Sequence, residues 1–421
     1  MSGSSELWND RCGCRTMDAA LLREQLESTS GLTGLVSALQ VSHPHLFSNA
    51  AVFIPRAAAE AMQAVVSAIE RVIALPQYQM SSLSTAPDVA RPAFGPRGVF
   101  TSYDFHLPAS GPRLIEINTN AGGALLNATL SRAQRACCGA MDEVQDEGTA
   151  YGLSDADIVE LFRAEWRLQR GATQLSRIAI VDDEPATQHL APEFELFRRL
   201  FVRHGIEAVI VDPRELAYQG GRLVHAGATV DLVYNRLTDF QLTDPDHQSV
   251  KDAYMSGATV LTPHPHAHAL YADKRNLVAL SNSARLESWG VPPQDRELLA
   301  AVIPHTELLT PASAEQLWRD RRAKFFKPFA GFGAKAAYRG DKLTQRVWNE
   351  IRSGGFVAQE LVPPTERFIR IDGAAASLKF DLRAYTYAGR IQLLAARLYR
   401  GQTTNMRTPG GGFAAVLLTR D

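Results

Sequence analysis

The chain has 421 residues, and its 44 lysine and arginine residues against 45 aspartate and glutamate residues give a formal net charge of −1. This length predicts two or three domains, or one large α/β unit with insertions. The balanced charge argues against a nucleic-acid partner, since binding to the phosphate backbone normally requires an excess of basic residues. The most apolar stretch, residues 50–76, is interrupted by charges and predicts an amphipathic helix, so we expect no membrane span. Residues 1–10 lack the pattern of a secretory signal, and we therefore expect a cytoplasmic protein.

The cysteines occur as two close pairs, Cys12 with Cys14 and Cys137 with Cys138. Neither pair has the C-x-x-C spacing of structural zinc sites, and a cytoplasmic chain seldom relies on disulfides. We expect reduced thiols without a special role.

Four segments follow one another along the chain. Residues 1–96 carry leucines and alanines at helical spacing and predict a helical N-terminal region. Residues 97–175 begin with two extended runs joined by a Gly/Pro turn, a pattern that predicts a β-hairpin, and continue as helices. Residues 176–262 alternate strand, helix and strand, as an inserted α/β subdomain would. Residues 263–421 combine helices with strands and end in dense β signals, so the fold class is α/β (α+β).

The predicted hairpin carries Asp104 on its first strand and Glu116 and Asn118 on its second. Side chains alternate along a strand, so Glu116 and Asn118 share one face, and the hairpin can bring Asp104 onto it. Two carboxylates and an amide oxygen are hard ligands that suit Mg²⁺. The alternative is a polar strand face exposed to solvent.

A second pattern is a strand that delivers Lys327, followed by a glycine-rich turn containing Gly331, Gly333 and Lys335. Backbone N–H groups in such a turn can approach phosphate oxygens, and lysine charge can neutralise them. The sequence does not fit the Walker loop, and the partial G-x-G-x-x-A match runs into a charged turn instead of a helix. An ordinary surface hairpin is the alternative.

A buried strand then ends in Gln359, Glu360 and Leu361, just before the double proline Pro363 and Pro364. Such a strand end makes a hinge between lobes, and its free backbone groups can pair with an adenine edge. Without other context it is only a strand end.

The C-terminal strands carry several arginines and end in a triple-glycine loop. Guanidinium groups with an amide and glycines suit the recognition of phosphate and carboxylate groups, whereas each arginine alone is more often solvated. The residues concerned are Arg383, Arg397, Arg400, Asn405, Arg407, Gly410, Gly411 and Gly412.

Three histidines alternate in the string His264, His266 and His268. This spacing can bind zinc, but intervening prolines make the segment a stiff loop, and no acidic partner is adjacent. We expect no metal there and assign the string no role.

Taken in order, these pieces resemble the ATP-grasp superfamily, in its rearranged branch with eukaryotic-type glutathione synthetases and glutathionylspermidine synthetases. The stretch Arg113–Gly123 resembles the metal-binding Glu-Ile-Asn strand, and Asp104 matches the further acidic ligand of the glutathionylspermidine type. Residues 272–277 resemble the helix with the first ATP lysine, and residues 326–328 the strand with the second. Residues 234–236 are similar to the substrate-facing Tyr-x-Arg strand. As in that branch, the metal hairpin precedes the lysines.

The resemblance implies a circularly permuted ATP-grasp fold, with antiparallel sheets flanking an ATP cleft. It implies that ATP is held by Lys274, Lys327, Gly331, Gly333, Lys335, Gln359, Glu360 and Leu361, and Mg²⁺ by Asp104, Glu116 and Asn118. It further implies catalytic roles for Arg383, Arg397 and Asn405, and substrate contacts for Asn120, Arg236, Arg400, Gly411 and Gly412. One departure is Ala330-Gly331, where glutathione synthetases place an acidic ligand, so that a full metal set depends on Asp104.

The implied reaction is that of a carboxylate–amine ligase. A substrate carboxylate attacks the γ-phosphate of ATP to give an acylphosphate, and an amine displaces phosphate to form an amide or peptide bond. The expected substrates are small carboxylates and amines, such as amino acids, peptides or polyamines, and a homodimer is left open. The alternatives are a small-molecule kinase and a nucleotide-binding protein on a decayed ligase fold. We also expect cations to concentrate in the cleft, against an acidic exterior.

Overall fold

The structure is a computed structural model that describes residues 4–13, 16–30, 34–134, 151–329, 331, 336–371 and 373–420. Of the cysteines, Cys12 is buried with a free thiol, whereas Cys14, Cys137 and Cys138 lie outside the described residues.

The N-terminal region is helical as predicted, except for one strand. Its elements are α1 (Ser4–Arg11), α2 (Ala19–Ser30), α3 (Leu35–Ser42), β1 (Val52–Pro55), α4 (Arg56–Ile73) and α5 (Pro76–Leu83). The strand was missed because its short apolar run adjoins the amphipathic α4, and periodicity alone cannot separate a short buried strand from a helix. β1 extends the largest sheet, so this region is part of the main body of the protein.

The predicted hairpin is confirmed as β2 (Thr101–His106) and β3 (Arg113–Asn118), followed by α6 (Ala124–Arg132) and α7 (Asp155–Arg170). The two strands pair antiparallel and place Asp104 directly opposite Glu116.

The inserted α/β block is also confirmed. Its elements are β4 (Arg177–Val181), α8 (Ala191–Arg203), β5 (Glu207–Val211), β6 (Leu216–Gln219), β7 (Arg222–His225), β8 (Ala228–Thr229), β9 (Leu232–Asn235), α9 (Gln248–Met255) and β10 (Val260–Thr262). Strands β10, β9, β4 and β5 form a parallel sheet in that order. The small antiparallel sheet β6–β7–β8 was not predicted.

The rest of the chain supplies the remaining strands of the cleft. After a helical turn (Pro265–Ala267) and a π-helix (His268–Ala272) come α10 (Arg275–Leu280), α11 (Ser283–Ser288), α12 (Pro293–Val302), β11 (Thr306–Leu309), α13 (Ala314–Asp320), β12 (Lys324–Pro328), β13 (Tyr338–Arg339), α14 (Gln345–Ile351), β14 (Phe356–Glu360), β15 (Thr365–Ile371), β16 (Ala374–Tyr387), β17 (Arg390–Tyr399) and β18 (Gly412–Thr419). Short 3₁₀ turns occur at Asp88–Ala90, Pro185–Thr187, Pro213–Glu215, Pro245–His247, Arg321–Ala323 and Gly340–Lys342.

Two sheets from distant parts of the chain flank the cleft. The seven-stranded sheet runs β1-β18-β17-β16-β2-β3, with β15 also paired to β16, and the four-stranded antiparallel sheet runs β11-β14-β12-β13. The larger sheet is apolar on both faces: along β17, Leu394 and Ala396 pack in the core that contains α4, while Leu393 and Ala395 pack in the core of the α/β block. Two covered faces fix the register of this sheet, and with it the positions of its polar side chains. Within the described ranges, the helices are too short or too polar to cross a lipid bilayer.

Candidate active site

A cleft of about 550 Å³ opens between the β2–β3 hairpin, strands β12 and β14, and the ends of the parallel sheet. Its size is in the range of small-molecule sites. The cationic side chains that line it are Arg236, Lys274, Lys327, Arg339, Lys379, Arg383 and Arg397, and the anionic ones are Asp104, Glu116, Asp182, Glu360 and Asp381. This lining has an excess of cations, which is the direction that the sequence predicts.

Asp104 is the centre of an ion-pair network. Its Oδ1 and Oδ2 accept hydrogen bonds from Nε and Nη2 of Arg383, at 2.8 and 2.7 Å, and Oδ2 also accepts one from Nη2 of Arg397, at 2.8 Å. Arg397 Nε donates to Asp381 at 2.7 Å, and the Thr404 hydroxyl donates to the same carboxylate. The sheet register explains the grouping, because Arg383 lies opposite Asp104 and Arg397 lies opposite Asp381. Burial alone would raise the pKa of Asp104, but the two arginines lower it to about 2.

Glu116 and Asn118 lie beside this network on β3. The Asn118 Nδ2 group donates to Glu116 Oε1 and to Asp104 Oδ2, both at 3.2 Å. Burial would raise the pKa of Glu116, yet Lys274 and Lys327 lower it below its usual value. Glu116 is therefore a partly buried, ionised carboxylate that is held charged mainly by two lysines.

Lys274 and Lys327 converge on the cleft from different elements. Lys274 Nζ donates to the carbonyl of Gly331 at 2.7 Å, and Lys327 Nζ donates to the carbonyl of Ile115 at 2.9 Å and to Gln359 Oε1 at 2.8 Å. Burial and the nearby Lys274 lower the pKa of Lys327 to about 8, although Glu116 opposes the shift. Gly333 and Lys335, also predicted here, lie outside the described residues.

The predicted hinge reaches the cleft through Gln359, Glu360 and Leu361. Gln359 is buried, and both ends of its amide bond other side chains of the protein. Its Nε2 donates to the Thr306 hydroxyl at 3.2 Å, and its Oε1 accepts from Lys327. The Leu361 amide donates to the carbonyl of Ala323 at 2.8 Å.

The far end of the cleft is built from Asn120, Arg236 and Asp182. Asn120 Nδ2 donates to the carbonyls of Arg236 and Leu237, at 3.1 and 2.9 Å. Among the described residues, the buried Oδ1 of Asn120 and the buried Nε of Arg236 have no hydrogen-bond partner. Burial raises the pKa of Asp182 to about 7, with Arg236 opposing the shift.

Sequence reasoning missed Asp182. The available signal was its position directly after the buried strand β4, because ligands of open α/β sheets bind beyond the carboxyl ends of the strands.

Of the four residues predicted for the site in the C-terminal loop, only Asn405 lines the cleft. Asn405 lines the cleft, but its side chain bonds within the loop, donating to the carbonyl of Arg400 at 2.8 Å and accepting from the amide of Arg407 at 3.1 Å. Arg400 is exposed and does not line the cleft. Gly411 and Gly412 also lie outside the lining and serve close packing, since a Cβ would come within 2.4 Å of the Leu398 carbonyl and 2.3 Å of the His45 carbonyl, respectively.

The three histidines have different partners. His264 bonds the carbonyl of Pro96 at 2.9 Å, and His266 bonds that of Ala90 at 2.7 Å, so both fasten the segment before the hairpin. His268 lines the cleft and stacks on Phe240, with ring centroids 4.1 Å apart. Within the described part of the chain, no three or more histidine, cysteine, aspartate or glutamate side chains form a group that could hold a metal ion.

Comparison with solved structures shows the fold. The chain aligns with a glutathione synthetase-like effector (GSS30) from Globodera pallida at a TM-score of 0.55 and 12% identity, over 95% of this chain and 98% of that one. A putative gamma-glutamylcysteine synthetase from Methylobacillus flagellatus aligns at 0.44 and 12% identity, covering 84% and 86% of the two chains. The ATP-grasp ligase PsnB, complexed with minimal precursor, Mg and ADP, aligns at 0.30 and 14% identity, covering 57% and 88%.

The first alignment confirms the predicted fold, which is that of a glutathione synthetase-like protein. No protein-family model matches the sequence, and no curated protein matches it.

Proposed function

We propose that the protein is an ATP-dependent carboxylate–amine ligase, which forms an amide or peptide bond through an acylphosphate. The observation that carries this proposal is the convergence of Lys274, Lys327, Glu116, Arg383 and Arg397 on one cleft, although they come from four separate parts of the chain. Phosphoryl transfer depends mainly on positioning and charge neutralisation, which this group supplies without a nucleophilic side chain.

Mg²⁺ fits part of the predicted ligand set. Glu116 is ionised and lies beside Asn118, whose amide presents an oxygen once it is turned over, and Mg²⁺ takes its other ligands from phosphates and water. Asp104 fits less well, because both of its oxygens already accept hydrogen bonds from arginines, and it would join only after a guanidinium leaves it. We propose Glu116 and Asn118 as the residues that hold Mg²⁺, which when bound would neutralise phosphate charge.

The remaining residues are assigned by position. The two lysines neutralise ATP phosphates, the strand end at Glu360 and Leu361 accommodates the adenine, and Gln359 keeps Lys327 in place. Arg397 and Arg383 face the region where the acylphosphate forms and stabilise its charge. Arg236 and Asp182, of opposite charge at the far end of the cleft, suit a carboxylate substrate that also carries an amine, such as an amino acid or peptide.

The test is ATP binding followed by turnover. Calorimetry with ATP and Mg²⁺ should show binding, and ADP release should require a carboxylate and an amine from a panel of amino acids, short peptides and polyamines, with mass spectrometry identifying the product. Lys327→Met should abolish ADP release. Lys324→Met is the matched control, since Lys324 lies on the same strand, pairs with Glu307 at 2.9 Å and is absent from the cleft lining.

The other outcomes separate the alternatives. ADP release without any amine indicates a kinase, because a kinase needs only a phosphate acceptor. Binding of ATP with no ADP release across the panel indicates a nucleotide-binding protein. Either outcome overturns the ligase proposal.

A further inference from the structure

The loop of residues 236–244 forms one wall of the cleft. It begins at Arg236, directly after β9, and Thr238 and Phe240 also line the cleft. The ring of Phe240 stacks on His268 with an interplanar angle of 11°. His268 is the first residue of the π-helix, whose last residue, Ala272, lies two positions before Lys274. The loop therefore connects the Arg236 end of the cleft to the end that contains Lys274.

His247 fastens this loop to the segment that follows β4. Its Nδ1 lies 2.9 Å from Asp239 Oδ2, within the loop, and its Nε2 lies 2.8 Å from Asp183 Oδ1, in the segment after β4. The His247 side chain is only 2% exposed. Asp239 also accepts hydrogen bonds from the backbone amides of Thr243 and Asp244, at 2.6 and 2.9 Å, so the loop is already folded around this carboxylate. His247 therefore holds a folded loop against the segment after β4.

Both ring nitrogens of His247 face ionisable carboxylates, and an ionised carboxylate can only accept hydrogen bonds. The imidazolium is the one form that can donate to both. Burial opposes this charge, but Asp183 and Asp239 outweigh burial and raise the pKa of His247. Asp182, beside Asp183, is a further ionisable group that interacts with His247, and Asp182 also faces Arg236.

We propose that His247, as an imidazolium bridging Asp183 and Asp239, is a positioning residue that holds Arg236 and Phe240 in the cleft wall. The meaning of that wall for catalysis rests on the proposed function, but the fastening does not. Since the histidine's pKa is raised in the folded protein, the fastening is complete below the ordinary histidine pKa and is lost as the pH rises through the folded value.

Hydrogen exchange of the loop amides tests the fastening without any substrate. In the wild type, after correction for intrinsic rates, protection of Thr243 and Asp244 should be greater at pH 6 than at pH 9. His247→Gln should exchange about tenfold faster at pH 6, as expected for loss of a charge-assisted hydrogen bond, and its protection should depend less on pH than that of the wild type. His225→Gln is the matched control, because His225 lies in the small antiparallel sheet, 3.7 Å from Glu215, and is not part of the cleft.

Asp183→Asn provides a second variant at a position where the side chain is 51% exposed and folding should tolerate the change. It removes one arm of the bridge and should likewise reduce the pH dependence. Unchanged protection at both pH values in His247→Gln, or in Asp183→Asn if the histidine variant does not fold, overturns the proposal.

Calorimetry with ATP and Mg²⁺ on the same samples separates the two proposals. The affinity for ATP should be equal in the wild type and His247→Gln, while the KM for the carboxylate substrate should rise in the variant. If the wild type does not bind ATP, the proposed function fails, and the exchange experiment still decides the role of His247.

Discussion

The two ends of the cleft differ in how their polar groups are satisfied. At the charged end, formed by Asp104, Arg383, Arg397 and Asp381, carboxylates and guanidiniums are paired with one another. At the open end, formed by Asn120, Asp182 and Arg236, two buried polar atoms have no partner among the described residues, and the carboxyl has a pKa near neutrality. Unpaired buried groups are costly, so their persistence points to a ligand, whereas a paired network points to preorganisation. Under the proposed function, the charged end is therefore preorganised before ATP binds, and the substrate completes the open end.

The largest effect should come from breaking the charged end at its centre. Asp104→Asn leaves the buried Arg383 and the partly buried Arg397 facing a neutral amide, and breaking a buried pair by removing one partner typically costs about 3–5 kcal/mol. We expect a loss of that order in the free energy of unfolding, measured by urea denaturation. Asp88→Asn is the control, since the Asp88–Arg91 pair is exposed and should contribute less than about 1 kcal/mol. Equal losses in the two variants would contradict a preorganised network.

Glu116→Gln tests the proposed phosphoryl transfer beside the charged end of the cleft. It removes a charge that faces both lysines and that we assign to Mg²⁺, so we expect turnover to fall about 10²–10³-fold, the scale of losing one electrostatic contact in the transition state. A coupled ADP-release assay measures this, and thermal melting checks that the fold persists. Glu350→Gln is the control, because its carboxylate is 56% exposed and does not line the cleft. Full activity in Glu116→Gln would refute its assigned role.

A smaller effect is expected at Gln359, which bonds the lysine that we assign to the ATP phosphates. Gln359→Leu removes an acceptor of Lys327 but leaves the bond to the carbonyl of Ile115. We expect about a tenfold rise in the KM for ATP with kcat little changed, which corresponds to about 1.4 kcal/mol. Steady-state kinetics with varied ATP measures the split. A fall in kcat with an unchanged KM would show that Gln359 acts on the reaction step and not on binding.

The sequence predicted local pairings well and distant ones poorly. The hairpin opposed Asp104 and Glu116 as expected, because a short turn fixes its own register. The pairing of Asp104 with Arg383 and Arg397 could not be predicted, since it depends on which strands of a seven-stranded sheet become neighbours across more than half of the chain. Gly411 and Gly412 show a related limit: glycines that suit a ligand loop also suit close packing, and only the positions of Leu398 and His45 distinguish the two.

The smallest effect, and the one that most directly tests the open end, concerns Asp182. Its folded pKa of about 7 lies above its unfolded value, so the folded state binds more protons between about pH 4 and 7, and stability decreases as the pH rises through that range. Asp182→Asn removes this cost. We expect the variant to melt about 1–3 °C above the wild type at pH 8, with no gain at pH 4, by calorimetric scanning.

The same substitution should weaken substrate binding while it stabilises the protein. If the carboxylate at Asp182 holds an amine of the substrate, Asp182→Asn raises the KM for that substrate and leaves the KM for ATP unchanged. Asp88→Asn is also the control for the melting experiment, because that carboxylate is 87% exposed and should show little gain at pH 8. A variant more stable than the wild type yet poorer in substrate binding is the behaviour of a site that sacrifices stability for function. Loss of stability at pH 8 would instead mean that the Asp182 carboxylate is satisfied within the protein, and the two ends of the cleft would then not differ.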